Sequence, residues 1–324
     1  MQNIKIGIMG GAGYTGGELL RILVNHSQAE IVFIHSKSQF GKLVSDVHTD
    51  LLGETEMVFT NDIIQEIDVV FLCVGHGEAK KVLSDNEFLK TTKIIDLSQD
   101  FRMKSQDSSS FVYGLPELNK EAIKSASNIA NPGCFATAIQ LGLLPLFGKV
   151  NLESDIYISA TTGSTGAGQS FSESSHFSKR VNNLSIYKAF THQHLMEIKQ
   201  SIHQLQNSFD EQIVMIPQRG AFSRGILASI TVSSSQTEEE LIELFENYYK
   251  EHPFVHVSKK NIDLKQVLNT NKCIIYLEKH ENQLMIVSVI DNLLKGASGQ
   301  AVQNMNLMFG LNETMGLRLK ASAF

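Results

Sequence analysis

Cysteine is scarce in this sequence, with Cys73, Cys134 and Cys273 the three examples in a chain of 324 residues. An odd number of cysteines with no close pair does not build a disulfide framework, and no C-x-x-C zinc knuckle is present. The sequence therefore favours a protein of a reducing compartment.

Long runs of basic residues and long runs of apolar residues are also missing. Lysine and arginine form no cluster and the formal net charge is −6, which argues against nucleic acid or an anionic membrane as the main partner. No apolar stretch reaches the roughly 18 residues of a spanning helix. Only Lys5 precedes the first apolar run, so we expect no signal peptide. Internal repeats are also absent. From the charge, the cysteine usage and the missing signal peptide we expect a cytoplasmic protein that acts on a small molecule.

A glycine-rich turn follows the first predicted strand. The β-type run Ile4–Met9 leads into Gly10-Gly11-Ala12-Gly13-Tyr14-Thr15-Gly16, after which leucines recur at helical spacing. Gly10 permits a tight turn, Gly13 lets the backbone approach a pyrophosphate, and Gly16 allows the helix to pack closely on the sheet. The helix N-terminus holds the phosphates. The pattern predicts a dinucleotide site that includes Tyr14 and Thr15.

The residues after the second predicted strand indicate which dinucleotide binds. Strand-like runs at 31–34, 69–74 and 93–97 alternate with helical or polar segments, as in a parallel sheet. An NAD site usually has an acidic residue after the second strand, but this chain has Ser36, Lys37 and Ser38. Hydroxyl and ammonium donors suit a 2′-phosphate, so the sequence favours NADP(H); the alternative is a solvated surface loop.

The second half of the chain has a different pattern. Alternating strand-like runs from about residue 151 predict a mostly antiparallel sheet, with strands at 156–160, 213–216, 226–232, 273–277 and 285–290. Thr237 and Glu240 form a capping box that predicts a helix over 238–251. A last helical pattern, 301–309, follows the loop 296–299, which could return the chain to the first domain.

These patterns predict an α/β protein with two domains, and 42% hydrophobic residues supply a large core. The first is a Rossmann-type parallel-sheet nucleotide domain, residues 1–133, completed by a C-terminal helix at 300–324. The second, residues 134–299, is an α+β catalytic, substrate-binding and oligomerisation domain with a mostly antiparallel sheet.

Cys134 is the predicted nucleophile. Pro132 and Gly133 break the preceding segment and apolar residues then recur at helical spacing, so Cys134 is expected at a helix N-terminus. The positive end of the helix dipole favours a thiolate there. A buried structural cysteine is the alternative, and we expect that role for Cys73 and Cys273, which lie in apolar strand-like runs.

His192 and His194, followed by Glu197, are candidates for a base that works with the thiol. A structural role and a metal site are alternatives; a third ligand is not evident, and we predict no metal. Thr161 to Gly168 form a loop rich in glycine and hydroxyl residues that could offer N–H groups to an oxyanion. Arg102 and Arg224 lie in turn-like contexts and could hold a carboxylate or phosphate; surface ion pairs are the alternative.

Together these runs resemble the N-acyl-gamma-glutamyl-phosphate reductases of arginine biosynthesis, relatives of aspartate-semialdehyde dehydrogenase. The resemblance spans nearly the whole chain and rests on several motifs in combination. They are residues 10–19, 100–102, 113–118, 131–134, 163–168, 192–194 with Glu197, 224–226 and 291–304.

The resemblance implies an NADPH-dependent, phosphorylating oxidoreductase. Cys134 would attack the acyl phosphate to leave a thioester, and hydride transfer would then release the semialdehyde, with His192 as acid or base. The expected substrate-binding residues are Arg102, Ser164, Glu197 and Arg224, together with Arg219, which is not part of the family pattern. The implied cofactor-binding residues are Gly10, Gly13, Tyr14, Thr15, Gly16, Ser36, Lys37, Ser38, Gly166, Gly296 and Asn304. A homo-oligomer, dimer or tetramer, is also implied.

The sequence departs from the family pattern at Gln218-Arg219, where many relatives carry His-Leu, and at Gly75, where proline is common. Because Arg219 adds a positive charge, we hypothesise a pocket for a larger or anionic acyl group such as succinyl. Two other functions stay open. One is an aspartate-semialdehyde dehydrogenase-like reductase of another acyl phosphate, and the other is a protein that senses NADPH without turnover.

Overall fold

The structure is a computed structural model that describes residues 3–87, 91–105, 110–147, 149–150, 152, 154–170, 173 and 176–322. The chain divides into two compact units. One comprises Met1–Pro132 with Ala297–Arg318, and the other comprises Gly133–Gly296 with Leu319–Phe324. No helix in the described part of the chain has the length and apolar character needed to cross a membrane.

The first unit is built on a six-stranded parallel sheet with the order β2-β1-β3-β4-β6-β5. The strands are β1 Ile4–Met9, β2 Ala29–His35, β3 Val69–Leu72, β4 Lys93–Asp96, β5 Phe111–Tyr113 and β6 Asn128–Ala130. The helices are α1 Tyr14–Leu23, α2 Val44–Val47, α3 Ala79–Asp85 and α4 Pro116–Ser125. All four residues of β3 are buried, as expected for a parallel strand covered on both faces. The predicted Rossmann-type sheet is confirmed.

The second unit contains a seven-stranded sheet with the order β11-β12-β13-β10-β7-β9-β8. Its strands are β7 Ile156–Thr162, β8 Ser185–Ile186, β9 Ile213–Arg219, β10 Ile226–Ser233, β11 Val255–Ser258, β12 Cys273–His280 and β13 Gln283–Ile290. Only the pairs β7/β9 and β11/β12 are parallel in the described sheet, so the predicted mostly antiparallel character is confirmed.

The second unit also contains helices. They are α5 Cys134–Leu143, α6 Phe177–Arg180, α7 His194–Leu205 and α8 Glu238–Tyr249. Along β10 every second residue is buried, and α5 packs on β10, β12 and β13 from that side. The predicted capping box of α8 is present, because Thr237 accepts the Glu240 N–H while Glu240 accepts the Thr237 N–H.

The chain then re-enters the first unit through a π-helical turn at Leu294–Ser298 and helix α9, Gly299–Met308. Helix α9 packs on α1, α4 and β4. The expectation of a helix through 300–324 is corrected, because α9 ends at Met308. Gly310 then adopts a left-handed backbone with φ +67°, which ends a helix at low cost for glycine.

Candidate active site

Cys134 is the first residue of α5, and Gly133 occupies the N-cap position. The thiol is partly exposed, although the next nine helix residues are buried. The backbone of the π-helical turn lies against the cysteine: a Cβ at Gly296 would come within 2.8 Å of the Cys134 Cβ. Gly296 therefore lets a second chain segment approach Cys134, while α5 fixes the sulfur at a helix start.

Glu197 connects this helix start to α7. One carboxylate oxygen of the buried Glu197 accepts the Gly133 N–H at 2.9 Å. Its other oxygen is 3.9 Å from Nε2 of His194. Glu197 therefore joins α7 to the N-terminus of α5, where Cys134 lies, and its role in substrate binding stays a prediction.

His192 is buried and lies beside the nucleophile's helix, with its ring edge-on to Phe135 at 5.4 Å between centroids. Its Nδ1 accepts the His194 N–H at 3.2 Å. Burial, with help from the Lys188 charge, lowers the pKa of His192 to about 4. At neutral pH the ring is therefore uncharged, with its proton on Nε2. Among the described residues, no three histidine, cysteine or acidic side chains converge on a possible metal position.

Tyr187 was missed from the sequence because it belongs to no motif. Its ring lies 5.8 Å from that of His192, and the Arg219 guanidinium lies over its face at 4.8 Å from the centroid. Burial raises the pKa of Tyr187 to about 12; the Cys134 charge adds to that rise, and Arg219 opposes it. Tyr187 and Arg219 thus belong to the surroundings of Cys134 and His192.

The glycine and hydroxyl loop after β7 does not offer its first N–H groups to an anion, which corrects the expectation. Gly163, Ser164 and Thr165 donate their N–H groups to the carbonyls of residues 225, 222 and 223. Gly166 is exposed and Ser164 half-buried. The internal hydrogen bonds arise because this loop packs directly on the segment around Arg224.

Arg224 is held by a buried carboxylate. Its Nε and Nη2 donate to Asp291 at 3.1 and 3.2 Å, and the Asp291 side chain is fully buried. This bidentate pair fixes the guanidinium of the Arg224 side chain, which is 19% exposed. Asn292 bonds both Gly225 N–H and the Thr165 hydroxyl, so the three loops form one hydrogen-bonded group.

The predicted nucleotide turn of the first unit has the geometry of a phosphate site. Gly10 has φ +79°, and a Cβ there would lie 2.7 Å from the Cys73 carbonyl oxygen. Helix α1 starts after Gly13 without a side-chain cap, so its first N–H groups can serve an anion. A Cβ at Gly16 would meet the Gly11 carbonyl at 2.5 Å, so the missing side chain lets α1 pack closely on the glycine turn that follows β1.

His48 is a second residue that the sequence did not reveal. It is buried, and its Nε2 contacts the Gly11 carbonyl oxygen at 2.8 Å. A Cβ at Gly17 would come within 2.6 Å of its ring. His48 therefore packs against the glycine turn and the start of α1.

The first unit also contains other residues that are predicted to bind the cofactor or the substrate. Ser36 is buried, while Lys37 and Ser38 are exposed just after β2. Asn304 is fully buried; its amide donates to Gly114 O, and its Oδ1 has no partner among the described residues. The unsatisfied Asn304 Oδ1 could accept a hydrogen bond from a ligand, and the space at Gly10 is one that a Cβ would fill. Both features fit a bound dinucleotide. Arg102, also buried, donates to the carbonyls of residues 131 and 97.

Comparison with known proteins agrees with this arrangement. Residues 5–126 match the family "Semialdehyde dehydrogenase, NAD binding domain", and residues 134–292 match "Semialdehyde dehydrogenase, dimerisation domain". The chain is 58% identical over 322 residues to an N-acetyl-gamma-glutamyl-phosphate reductase of Bacteroides thetaiotaomicron, covering 99% of this chain and 100% of the relative. A protein of the same name from Flavobacterium johnsoniae is 55% identical over 324 residues, covering 99% of this chain and 100% of the relative. The chain belongs to the N-acetyl-gamma-glutamyl-phosphate reductase family.

Solved structures similar to this family member show the same fold at low identity. An aspartate semialdehyde dehydrogenase II from Vibrio cholerae superposes with a TM-score of 0.74 at 16% identity, covering 96% of this chain and 99% of that one. The Candida albicans enzyme, solved with NADP, gives 0.69 at 14% identity, with 95% and 99% coverage. Family membership thus comes from the sequence relatives, and these structures support the two-unit architecture.

Proposed function

We propose that this chain reduces an N-acyl-L-glutamyl 5-phosphate to the N-acyl-L-glutamate 5-semialdehyde and phosphate, with NADPH, in arginine biosynthesis. The observation that carries the proposal is the full-length identity of 55–58% to reductases of that name. The partly exposed Cys134 at the start of α5 supplies the nucleophile that this chemistry needs.

The first step is attack by the Cys134 thiolate on the acyl carbon. The N–H groups of the first turn of α5 and its dipole favour the thiolate. A carbon–sulfur bond forms as the bond from carbon to the phosphate oxygen breaks. Phosphate leaves and takes up the one proton that the overall reaction consumes. Glu197 holds the Gly133 N–H and thereby fixes the helix start during the attack.

The second step reduces the thioester. The glycine turn at residues 10–16, Ser36, Lys37, Ser38 and Asn304 would hold NADPH, which supplies a hydride when bound. His192, neutral and protonated on Nε2, donates a hydrogen bond to the oxygen that becomes negative. The resulting thiohemiacetal oxyanion expels the Cys134 thiolate, which restores the enzyme and releases the aldehyde.

An assay of the reverse reaction tests the proposal. Purified protein should reduce NADP only when an N-acyl-glutamate 5-semialdehyde and phosphate or arsenate are both present. Cys134→Ser should abolish turnover, whereas Cys273→Ser, at a buried position in β12, should keep it. Turnover without phosphate or arsenate would contradict acyl-phosphate chemistry.

Two alternative functions give different results in the same assay. A reductase of aspartyl phosphate would accept aspartate semialdehyde in preference to the acylated glutamyl compound. A protein that only senses NADPH would bind the cofactor and turn over neither aldehyde. The names of the relatives favour the glutamyl reaction over both.

A second copy of this chain is the partner we propose for the second unit, whose matched family is described as a dimerisation domain. The segment around β8 exposes several large apolar side chains: Phe177 78%, Leu184 60%, Ile186 62% and Phe190 65%. Strand β8 is also an edge of its sheet, and exposed apolar edges favour association. Light scattering should give a dimer or tetramer, and Leu184→Glu with Ile186→Glu should shift it towards monomer. A monomeric wild-type protein would contradict the proposal.

The cytoplasm is the compartment we propose for this reaction. The cysteines at 73, 134 and 273 are all free thiols, and free thiols persist in reducing compartments. Fractionation of cells that express the protein should recover the activity with cytoplasmic markers, and recovery outside the cytoplasm would contradict the proposal.

A further inference from the structure

A buried arginine at the end of α6 has no counter-ion among the described residues. Arg180 is 7% exposed, and its two terminal nitrogens donate to the Arg219 carbonyl at 3.1 Å and the Ser185 hydroxyl at 3.0 Å. Its Nε has no partner, and no carboxylate in the described ranges forms an ion pair with it. A guanidinium keeps its charge at physiological pH, and a buried charge is costly unless an opposite charge compensates it.

Arg180 fixes the position of a second arginine. Ser185 and Arg219 are paired residues of β8 and β9, so the two hydrogen bonds of Arg180 join the ends of these strands. The Arg219 side chain then lies over the Tyr187 ring and hydrogen-bonds to it. Arg180 and Arg219, called here the arginine pair, therefore concentrate positive charge at the end of β9.

The arginine pair is close to the nucleophile. Tyr187 contacts His192 edge-on, and His192 contacts Phe135, the neighbour of Cys134 in α5. The influence of the Cys134 charge on Tyr187 is consistent with this short path. An acyl-glutamyl group bonded to Cys134 would have to extend along this path of side chains to meet the arginine pair.

We infer that the arginine pair receives a carboxylate at the end of the acyl group, so that the preferred substrate carries a dicarboxylic acyl group such as succinyl. This inference rests on the proposed function and refines its substrate. An acetyl group ends in a methyl and would leave the buried charge of Arg180 uncompensated. A terminal carboxylate would accept two hydrogen bonds from Arg219, and Arg180 would act as the positioning residue.

The test compares kcat/KM in the reverse reaction for N-succinyl- and N-acetyl-L-glutamate 5-semialdehyde at saturating phosphate and NADP. We expect a preference for succinyl of roughly 100-fold, below the largest discrimination seen for fully buried polar sites because Arg219 is only half-buried. Arg219→Leu should reduce this ratio at least about tenfold, and Arg219→Lys should fall between. Arg180→Gln should raise KM for the succinyl compound more than it lowers kcat.

Lys179→Leu removes a neighbouring charge that is 51% exposed and is the matched control; it should leave the ratio unchanged. A wild-type preference for acetyl, equal use of both compounds, or an equal loss on both in Arg219→Leu would overturn the inference. An equal loss would assign Arg219 to the phosphate or to the glutamyl carboxylate that both compounds share. Failure to turn over either aldehyde with phosphate would instead overturn the proposed function.

Discussion

His192 shows how burial determines the chemistry of a single residue. With a pKa lowered to about 4 and Nδ1 occupied by the His194 N–H, the neutral ring can only donate from Nε2. We predict that His192→Ala lowers kcat about 10²- to 10³-fold, the usual loss for one oxyanion donor. Because the ring stays neutral in this range, the wild-type rate should show no titration step between about pH 6 and pH 8 that disappears in the variant. Initial rates across that range test this, and a step near pH 6.5 that vanishes in the variant would argue for a titrating base.

The lowered pKa also predicts acid sensitivity. Unfolded His192 has the ordinary pKa of 6.5 and folded His192 about 4, so the unfolded chain binds more protons between these values. Stability is therefore lost as the pH falls through that window. Urea denaturation at about pH 7, 6 and 5 should give a shallower pH dependence for His192→Gln than for wild type. A substitution at His280, whose side chain is 82% exposed, controls for loss of a histidine; identical slopes in wild type and His192→Gln would contradict the prediction.

The cysteines should differ in reactivity. Cys73 is partly exposed, which corrects the expectation of a buried residue, but desolvation raises the pKa of its thiol to about 12. Cys273 is fully buried beside the Ser288 hydroxyl. Cys134 is partly exposed at a helix N-terminus, where a thiolate is favoured. One equivalent of iodoacetamide at neutral pH should therefore alkylate Cys134 first and stop turnover in proportion. Peptide mass spectrometry identifies the site, and labelling of Cys73 ahead of Cys134 would be the contrary result.

At the scale of elements, the turn between β1 and α1 allows a matched comparison of two glycines. A Cβ at Gly16 would lie 2.5 Å from the Gly11 carbonyl, whereas a Cβ at Gly13 has no neighbour closer than 3.8 Å. Gly16→Ala should lower both thermal stability and NADPH affinity. Gly13→Ala should change the free energy of unfolding by no more than about 1 kcal/mol, yet weaken NADPH binding. Calorimetry of both variants tests this, and equal destabilisation would contradict the assigned contacts.

Elements with strong local patterns were predictable, and short ones were not. The run Ile4–Met9 and the capped start of α8 match the structure because β-branched residues and the Thr237 cap act locally. Strands β5 and β6 have three residues each and β8 has two, too few for a periodic pattern. These strands depend on pairing with partners distant in sequence, which no local signal reports.

At the scale of the whole molecule, local motifs predict the candidate reactive groups, but they do not predict the distant side chains that contact them. Cys134, the histidine pair and the glycine turn stand in local motifs. Glu197 reaches Gly133 across 64 residues, and Arg224 reaches Asp291 across 67. Such contacts form only when the chain folds, so no local pattern predicts the link from Glu197 to Gly133 or the positions of Tyr187, His48 and Arg180.

Cofactor choice can be measured on the whole molecule through its stability. A ligand at about 100 times its Kd stabilises the folded state by about 2.7 kcal/mol, so saturating NADPH should raise the Tm by several degrees. NADH at the same concentration should raise it less, because Ser36, Lys37 and Ser38 suit a 2′-phosphate and offer no carboxylate to the ribose. Lys37→Glu should reduce or reverse the difference, since Lys37 is exposed and the change leaves the core intact. Lys42→Glu, at an exposed position beyond this segment, is the control and should leave the difference in place. Equal shifts with NADPH and NADH in the wild-type protein would remove these residues from the cofactor site.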